Sequence, residues 1–592
     1  MKDFFKIVFG SALGFLLASI VFTVLSIFIV AALVATLSSN DTFVLQNNSV
    51  LHLRLSGTIE ERAPELDPFA LLMPGSDRAS MGLNDIISAI RKAKTNDRIK
   101  GIYLDIRSFS ASIPALTEIR NELIRFQESE KFIIAYADNF SQGGYYLASV
   151  ADKIVINPMG MLQLSGLVSM PIFFADALDN LGIDIQIIRV GDYKSATEPF
   201  TRMQMSAENR EQMSELLNDM WGFMRNSIAE SRGLTPERVD ELADINTIFQ
   251  TPDFLLAENL VDAVKFETDM RNYLRSRLNI ELDDPIPSAT VADMKTVPAG
   301  RTGGRRPSNQ SVAVLYMTGN ITSGTGSQNI QDRFMVRQLE RLRRDDNVKA
   351  VVLRINSGGG SAVASEQIWR AVTNLAYEKP VVVSMGGVAA SGGYWIATAA
   401  CKIVAQPNTI TGSIGVFSMV PNFEGTARSI GVATDVVKTN RFSDFGDITR
   451  PLTAGERTMF QTLTYRIHHQ FLQKTADARG MSIEEVDAVA GGRVWSGNQA
   501  KQYGLIDELG GLDRAIELAA ELAELEEGTF RIHELPRIRS PFEELFSRNR
   551  ESIAVRALRE YLGSNIEVLM MLKDVQNEDF VQARMLFDPN IR

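Results

Sequence analysis

Val348-Lys349-Ala350-Val351-Val352-Leu353-Arg354-Ile355 is a short apolar run that ends in a glycine-rich turn, Asn356-Ser357-Gly358-Gly359-Gly360-Ser361. The stretch that follows, 362–378, carries apolar residues at helical spacing: Ile368, Ala371, Val372 and Leu375. Within the run, Ala350–Ile355 reads as a buried strand, and the spacing after it reads as an amphipathic helix. Similar apolar runs at 312–317, 381–385 and 402–406 are expected strands of the same sheet. Strands alternating with helices predict parallel βαβ units and hence an α/β fold.

The pattern occurs twice. Ile99-Lys100-Gly101-Ile102-Tyr103-Leu104-Asp105-Ile106 matches Val348–Ile355, and Gly143-Gly144-Tyr145-Tyr146-Leu147-Ala148 matches Gly392-Gly393-Tyr394-Trp395-Ile396-Ala397. Lys153-Ile154-Val155 matches Lys402-Ile403-Val404 in the same register. Register held through several elements marks an internal repeat. The first copy is expected over 41–282, with a helix at 115–127, and the second over 312–527. Between them, 283–311 holds Pro285, Pro287, Pro298, Gly300, Gly303, Gly304 and Pro307 and reads as an exposed linker. A C-terminal extension, 528–592, is expected to be helical, notably at 552–562 and 565–573.

The first 40 residues read differently. No charged residue occurs between Lys6 and Asp41, and this apolar run exceeds the roughly 20 residues that a membrane helix needs. Lys2 and Lys6 precede it, and no Lys or Arg follows until Arg54. The positive-inside rule then predicts a single span, with the N-terminus cytoplasmic and the chain beyond residue 41 on the far side. A signal peptide cleaved near 32–35 is the alternative, but the run is much longer than a typical h-region.

Bulk properties exclude several classes. The 592 residues carry a net charge of −11, with a pI of about 5.2, which gives no basic footprint for nucleic acid. A single cysteine, Cys401, rules out an intrachain disulfide. His52, His468, His469 and His533 fall in no metal-binding spacing, so neither a metal nor another cofactor is expected. The paired histidines 468 and 469 lie in a polar helical stretch and read as surface.

Two glycine-rich turns could carry chemistry. Asn356–Ser361 follows a strand and precedes a helix, which suits an oxyanion-binding turn and equally a plain strand-to-helix turn. In Ala389-Ala390-Ser391-Gly392-Gly393-Tyr394 a serine opens a helix. It reads as an accessible nucleophile or as an ordinary N-cap. Lys194, between Asp192 and Glu198, reads by itself as a solvated loop lysine.

Taken together, these turns, Thr411-Gly412-Ser413-Ile414-Gly415 and Gly191-Asp192-Tyr193-Lys194-Ser195-Ala196 resemble the signal peptide peptidase family of the ClpP/crotonase superfamily, in its long tandem-repeat form. The resemblance implies two crotonase-like spiral repeats behind a transmembrane helix. It makes Ser391 the nucleophile, Lys194 the general base and Ser413 the residue that positions the lysine. Gly359, Gly360 and Gly392 become the oxyanion donors. Gly358 stands where the family turn has proline, which loosens the turn and leaves the donor glycines in place. The implied protein is a bacterial inner-membrane serine endopeptidase that faces the periplasm, assembles as a homotetramer and digests signal peptides and other hydrophobic peptides left in the lipid bilayer. A crotonase-type acyl-CoA enzyme would share the fold but need another catalytic group in place of the serine. A non-catalytic membrane scaffold would need none of these residues.

The repeat register adds an independent argument. Ser391 aligns with Gln142, Ser413 with Leu164, and Lys194 with Phe442 or its neighbour. Neither copy holds a complete Ser/Lys set, yet the two together hold one. The split predicts a site built across the repeats.

Overall fold

The computed structural model describes residues 6, 10, 11, 13–22, 25, 43–63, 80–298, 308–327, 329–526, 528–537 and 581–585. The first half runs β1 (Ser49–Glu60), α1 (Leu83–Thr95), β2 (Ile99–Ser110), α2 (Ile113–Gln127), β3 (Phe132–Phe140), α3 (Gln142–Ala148), β4 (Lys153–Leu162), β5 (Asp184–Arg189) and the long helix α4 (Ala207–Arg232). The second half repeats this order with β6 (Ser311–Thr318), α5 (Asp332–Arg344), β7 (Val348–Ser357), β8 (Gly359–Ser361), α6 (Ala362–Ala376), β9 (Val381–Ala390), α7 (Gly392–Ala397), β10 (Ile410–Gly412), β11 (Phe417–Asn422) and α8 (Ala454–Arg479). A last strand, β12, spans Val581–Arg584.

The α/β expectation holds. Strands β1 to β4 are parallel neighbours in chain order, and so are β6, β7 and β9. Parallel sheets are covered on both faces, so their strands are apolar throughout rather than alternating. Ala350, Val351, Val352 and Leu353 of β7 are accordingly all buried. Helix α6 starts where Ser361 caps the Ala364 N–H, and it buries the expected stripe of Ile368, Ala371, Val372 and Leu375. Each half has its own large apolar core.

Three stretches depart from expectation. The presumed linker is partly structured: Ser288–Ala289 pairs with β1, and helix Val291–Thr296 starts with a Thr290/Asp293 capping box and buries Met294. Polar and proline-rich composition hid these short elements. In the C-terminal extension, Arg531–Leu535 is a strand parallel to β6 rather than a helix, while 552–562 and 565–573 lie outside the described residues. At the N-terminus, 13–22 is helical with Phe15, Val21 and Phe22 exposed. Among the described residues no helix is long and apolar enough to cross a membrane.

The halves interlock. Strand β5 leaves the first half and pairs antiparallel with β11, from Asp184↔Asn422 to Arg189↔Phe417. Around the same boundary, the buried Arg354 of β7 reaches Glu61 at 2.8 Å and Glu118 at 2.6 Å, both in the first half, and donates to Ser384 Oγ at 2.9 Å. Burial pushes the Glu61 carboxyl up, and the guanidinium beside it opposes that shift. Removing one member of such a buried cluster leaves charge uncompensated. Arg354→Met should therefore cost about 3–5 kcal/mol in denaturant unfolding at neutral pH. Part of that loss should be recovered in acid, where the Glu61 carboxyl, pushed up by burial, takes a proton. A loss below about 1 kcal/mol would show the cluster to be dispensable.

Candidate active site

The lysine loop is carried into the second half by β5. Just beyond that strand, Gly191 adopts φ 95°, and a Cβ there would fall 2.3 Å from the carbonyl oxygen of Gly491. Tyr193 N donates to the same oxygen at 3.1 Å. A Cβ on Gly492 would meet Lys194 Cβ at 2.6 Å, so only glycine lets these two backbones touch. Gln212 of α4 completes the clamp. Its Nε2 donates to Tyr193 O at 3.0 Å and Ser195 Oγ at 3.1 Å, and its Oε1 accepts from Val494 N at 3.2 Å. Gln212, Gly491 and Gly492 were missed in the sequence. The Gly-Gly pair after the 483–489 helix was the visible signal.

Ser391 sits between β9 and α7 with φ 53° and ψ −113°, and its side chain makes no capping bond. The ordinary N-cap reading therefore fails. Such a backbone costs roughly 1–3 kcal/mol and persists only where its surroundings enforce it. Here Ser391 N donates to Gly412 O at 2.8 Å and Trp395 N donates to Ser391 O at 2.8 Å. Ser413 follows β10, also at positive φ, and its N–H donates to Arg493 O at 2.7 Å.

These elements bring Lys194, Ser391 and Ser413 of one chain together. Lys194 Nζ lies 2.8 Å from Ser391 Oγ and 3.0 Å from both the carbonyl oxygen and Oγ of Ser413. All three side chains are buried. Burial alone holds the Lys194 amine well below its usual basicity. The neutral amine has two N–H groups and one lone pair. Ser413 O can only accept, so it takes one N–H. Ser413 Oγ–H donates to Gly492 O at 3.2 Å, which leaves that oxygen free to accept the second. The lone pair is left for the Ser391 hydroxyl proton, whose competing acceptor, Gly415 O, lies farther away at 3.4 Å. The arrangement can take a proton from a serine hydroxyl.

The glycines divide. Gly392 opens α7 directly beside Ser391, where N–H groups have no helical partner. A Cβ on Gly359 would lie 2.7 Å from Gly392 N, so these two are adjacent. The Gly359 N–H itself donates to Ser357 Oγ at 3.1 Å. Gly360 lies in the sheet, paired with Ile321 on one side and Ala583 on the other.

The corresponding place in the first half is filled. Gln142 Nε2 donates to Gly166 O at 3.0 Å, and its Oε1 accepts from the N–H groups of Ser165 and Gly166. In the repeat register Gly166 matches Gly415, so the glutamine side chain makes with Gly166 the contact that Ser391 Oγ makes more loosely, at 3.4 Å, with Gly415 O. His468 was expected at the surface. It is buried, with Nδ1 lacking a partner among the described residues, and burial lowers its basicity.

Two family models match the chain. Peptidase family S49 matches residues 125–281 and 373–526, and Clp protease matches 304–412. The chain belongs to peptidase family S49. Both halves of this S49 peptidase are thus matched by the same model, in keeping with the repeat. It is 37% identical to Protease 4 of Salmonella typhi over 75% of this chain and 72% of that one. It is 34% identical to Protease 4 of Haemophilus influenzae over 87% and 85%. It is 30% identical to the chloroplastic serine protease SPPA of Arabidopsis thaliana over 81% and 70%. This S49 member is a serine peptidase.

The buried amine predicts a stability signature. Unfolded, the lysine has its ordinary value near 10.5, and folded it lies well below. Between the two values the unfolded chain holds a proton that the folded chain has released, so stability rises with pH across that window. Lys194→Met removes this dependence. Compared by denaturant unfolding, the wild type should gain on the variant as pH rises toward 10.5. A difference that stays flat over that range would mean the amine is not perturbed.

Proposed function

We propose that this serine peptidase is a membrane-anchored endopeptidase that works through a Ser391/Lys194 dyad on signal peptides and similar apolar peptides left in the membrane. The observation that carries the reading is the buried 2.8 Å contact between Lys194 Nζ and Ser391 Oγ, in a setting whose burial lowers the amine's basicity. Ser391 Oγ attacks the scissile carbonyl carbon while Lys194 accepts its proton. The N–H of Gly392, with the adjacent Gly359 turn, faces the developing oxyanion. Lys194 then passes the proton to the leaving amine as the C–N bond breaks, which leaves an acyl-serine. A water gives Lys194 a proton as it attacks the ester, and that proton returns to Ser391 Oγ. Ser413 holds the amine in line throughout.

The anchor rests on the charge-free run after Lys6 and on the exposed apolar side chains of 13–22. With Lys2 and Lys6 kept on the cytoplasmic side, this reading has the catalytic region facing the periplasm from a bacterial inner membrane. Two similar α/β halves in each chain suit a closed ring of four copies, since repeated head-to-tail contacts close most simply by cyclic symmetry.

Ser391→Ala should lower kcat on a quenched peptide by about 10³-fold or more, with unchanged folding by circular dichroism. Lys194→Arg should be equally inactive, because guanidinium stays protonated. In the wild type kcat/KM should rise with pH along one limb that ends well below 10.5, as the folded amine loses its proton. Turnover in either variant would remove that residue from the mechanism.

A further inference from the structure

Strand β12 lies in the site itself. It is antiparallel to β8 on one side, pairing Gly359↔Arg584, Gly360↔Ala583 and Ser361↔Gln582. On the other side it is antiparallel to β11 through Phe417↔Gln582 and Ser418↔Val581. Met585 N donates to Gly358 O at 2.6 Å. The carbonyl oxygen of Ala583 faces both glycines next to the nucleophile. A Cβ on Gly359 would fall 2.2 Å from it, and one on Gly392 3.0 Å. Met585 packs against Met213, Leu216, Ile410 and Val494 in an apolar pocket, and with Lys194 these residues line a residual cavity of about 20 Å³. Every residue from Val581 to Met585 is buried.

Main-chain pairing to a sheet, with a side chain lodged in a neighbouring pocket, is the way an extended peptide is held by strand addition. The glycines of β8 make room for a passing backbone rather than for side chains. The pocket is bordered by the catalytic lysine, so its occupant is set against the reacting groups. We propose that Val581–Met585 is a built-in competitor of substrate, that peptides bind by replacing it, and that the pocket filled by Met585 selects an unbranched apolar side chain. The proposal rests on the peptidase reading of the same site. A competitor tethered to the enzyme leaves only a fraction of chains open, and the apparent KM rises by the inverse of that fraction while kcat is untouched.

The test uses the full chain with M585D, which puts a carboxylate into the apolar pocket, and a second chain ending at residue 580. On a quenched peptide containing Met or Leu, KM should fall several-fold in both, at unchanged kcat. An unchanged KM in both overturns the proposal. So does a fall in kcat in both, which would make the strand a structural part of the site. A labelled synthetic peptide, Val-Gln-Ala-Arg-Met, should bind the shortened chain carrying Ser391→Ala and should be displaced by the substrate peptide. Its Met→Asp version should not bind. Failure of the first peptide to bind, or binding that substrate does not displace, also overturns the proposal. This binding readout needs no catalysis. Absent turnover in every chain would therefore count against the peptidase reading, while the tail's occupancy is decided separately.

Discussion

An amine enclosed by protein, with no carboxylate bonded to it among the described residues, is the constraint around which this molecule is arranged. Lysine in water is charged, and burial penalises the charge unless something answers it. Around Lys194 the dominant influence is burial, and the groups bonded to its amine are two serine hydroxyls and the Ser413 carbonyl oxygen. Enclosure of that kind needs material on all sides. The first half supplies the loop and α4, and the second supplies Ser413, the Gly491–Gly492 turn and the end of β9. Pulling the halves apart would rehydrate the amine, so the chemistry of the site and the joint between the repeats are one structural fact. The Arg354 cluster and the β5–β11 pairing hold that joint closed.

The sequence carried much of this in legible form. Strands β6, β7 and β9 and helix α6 were readable because parallel sheets leave near-continuous apolar runs and helices leave a spaced stripe. The repeat register located Gln142 opposite Ser391 without coordinates. Lys194 was not readable by its neighbours, since Asp192 and Glu198 flank it and nothing local announces burial. Only the resemblance pointed to it. The clamp of Gly191, Gly491 and Gly492 was hidden because it brings together residues about 300 positions apart, and a close approach of backbones leaves only glycine as its trace. His468 was misread for a related reason. A polar helix such as α8 turns one side inward, and the sequence did not say that a histidine would be on it.

Ser391 and Ser413 both have left-handed backbones, where glycine would be easier. Both positions place a serine oxygen within hydrogen-bond reach of the same amine. Ser391 must present its hydroxyl at the mouth of a helix while the chain reverses from β9 into α7. Ser413 must offer its carbonyl and its hydroxyl to the same amine. A relaxed backbone would offer one or the other. Gln142 shows what the equivalent corner becomes when no proton has to move: an amide that satisfies its neighbours and stays still.

The order of the parts along the chain has a temporal consequence. Synthesis runs from the N-terminus, and early regions can fold before later ones exist. Lys194 is made nearly two hundred residues before Ser391, and the glycine pair that seats its loop comes another hundred residues later. Until that turn has emerged, the lysine has no enclosure and keeps its proton, and the serine has no acceptor. On the proposed dyad, a nascent chain is thus inert toward itself and its neighbours until Gly491 and Gly492 have been made.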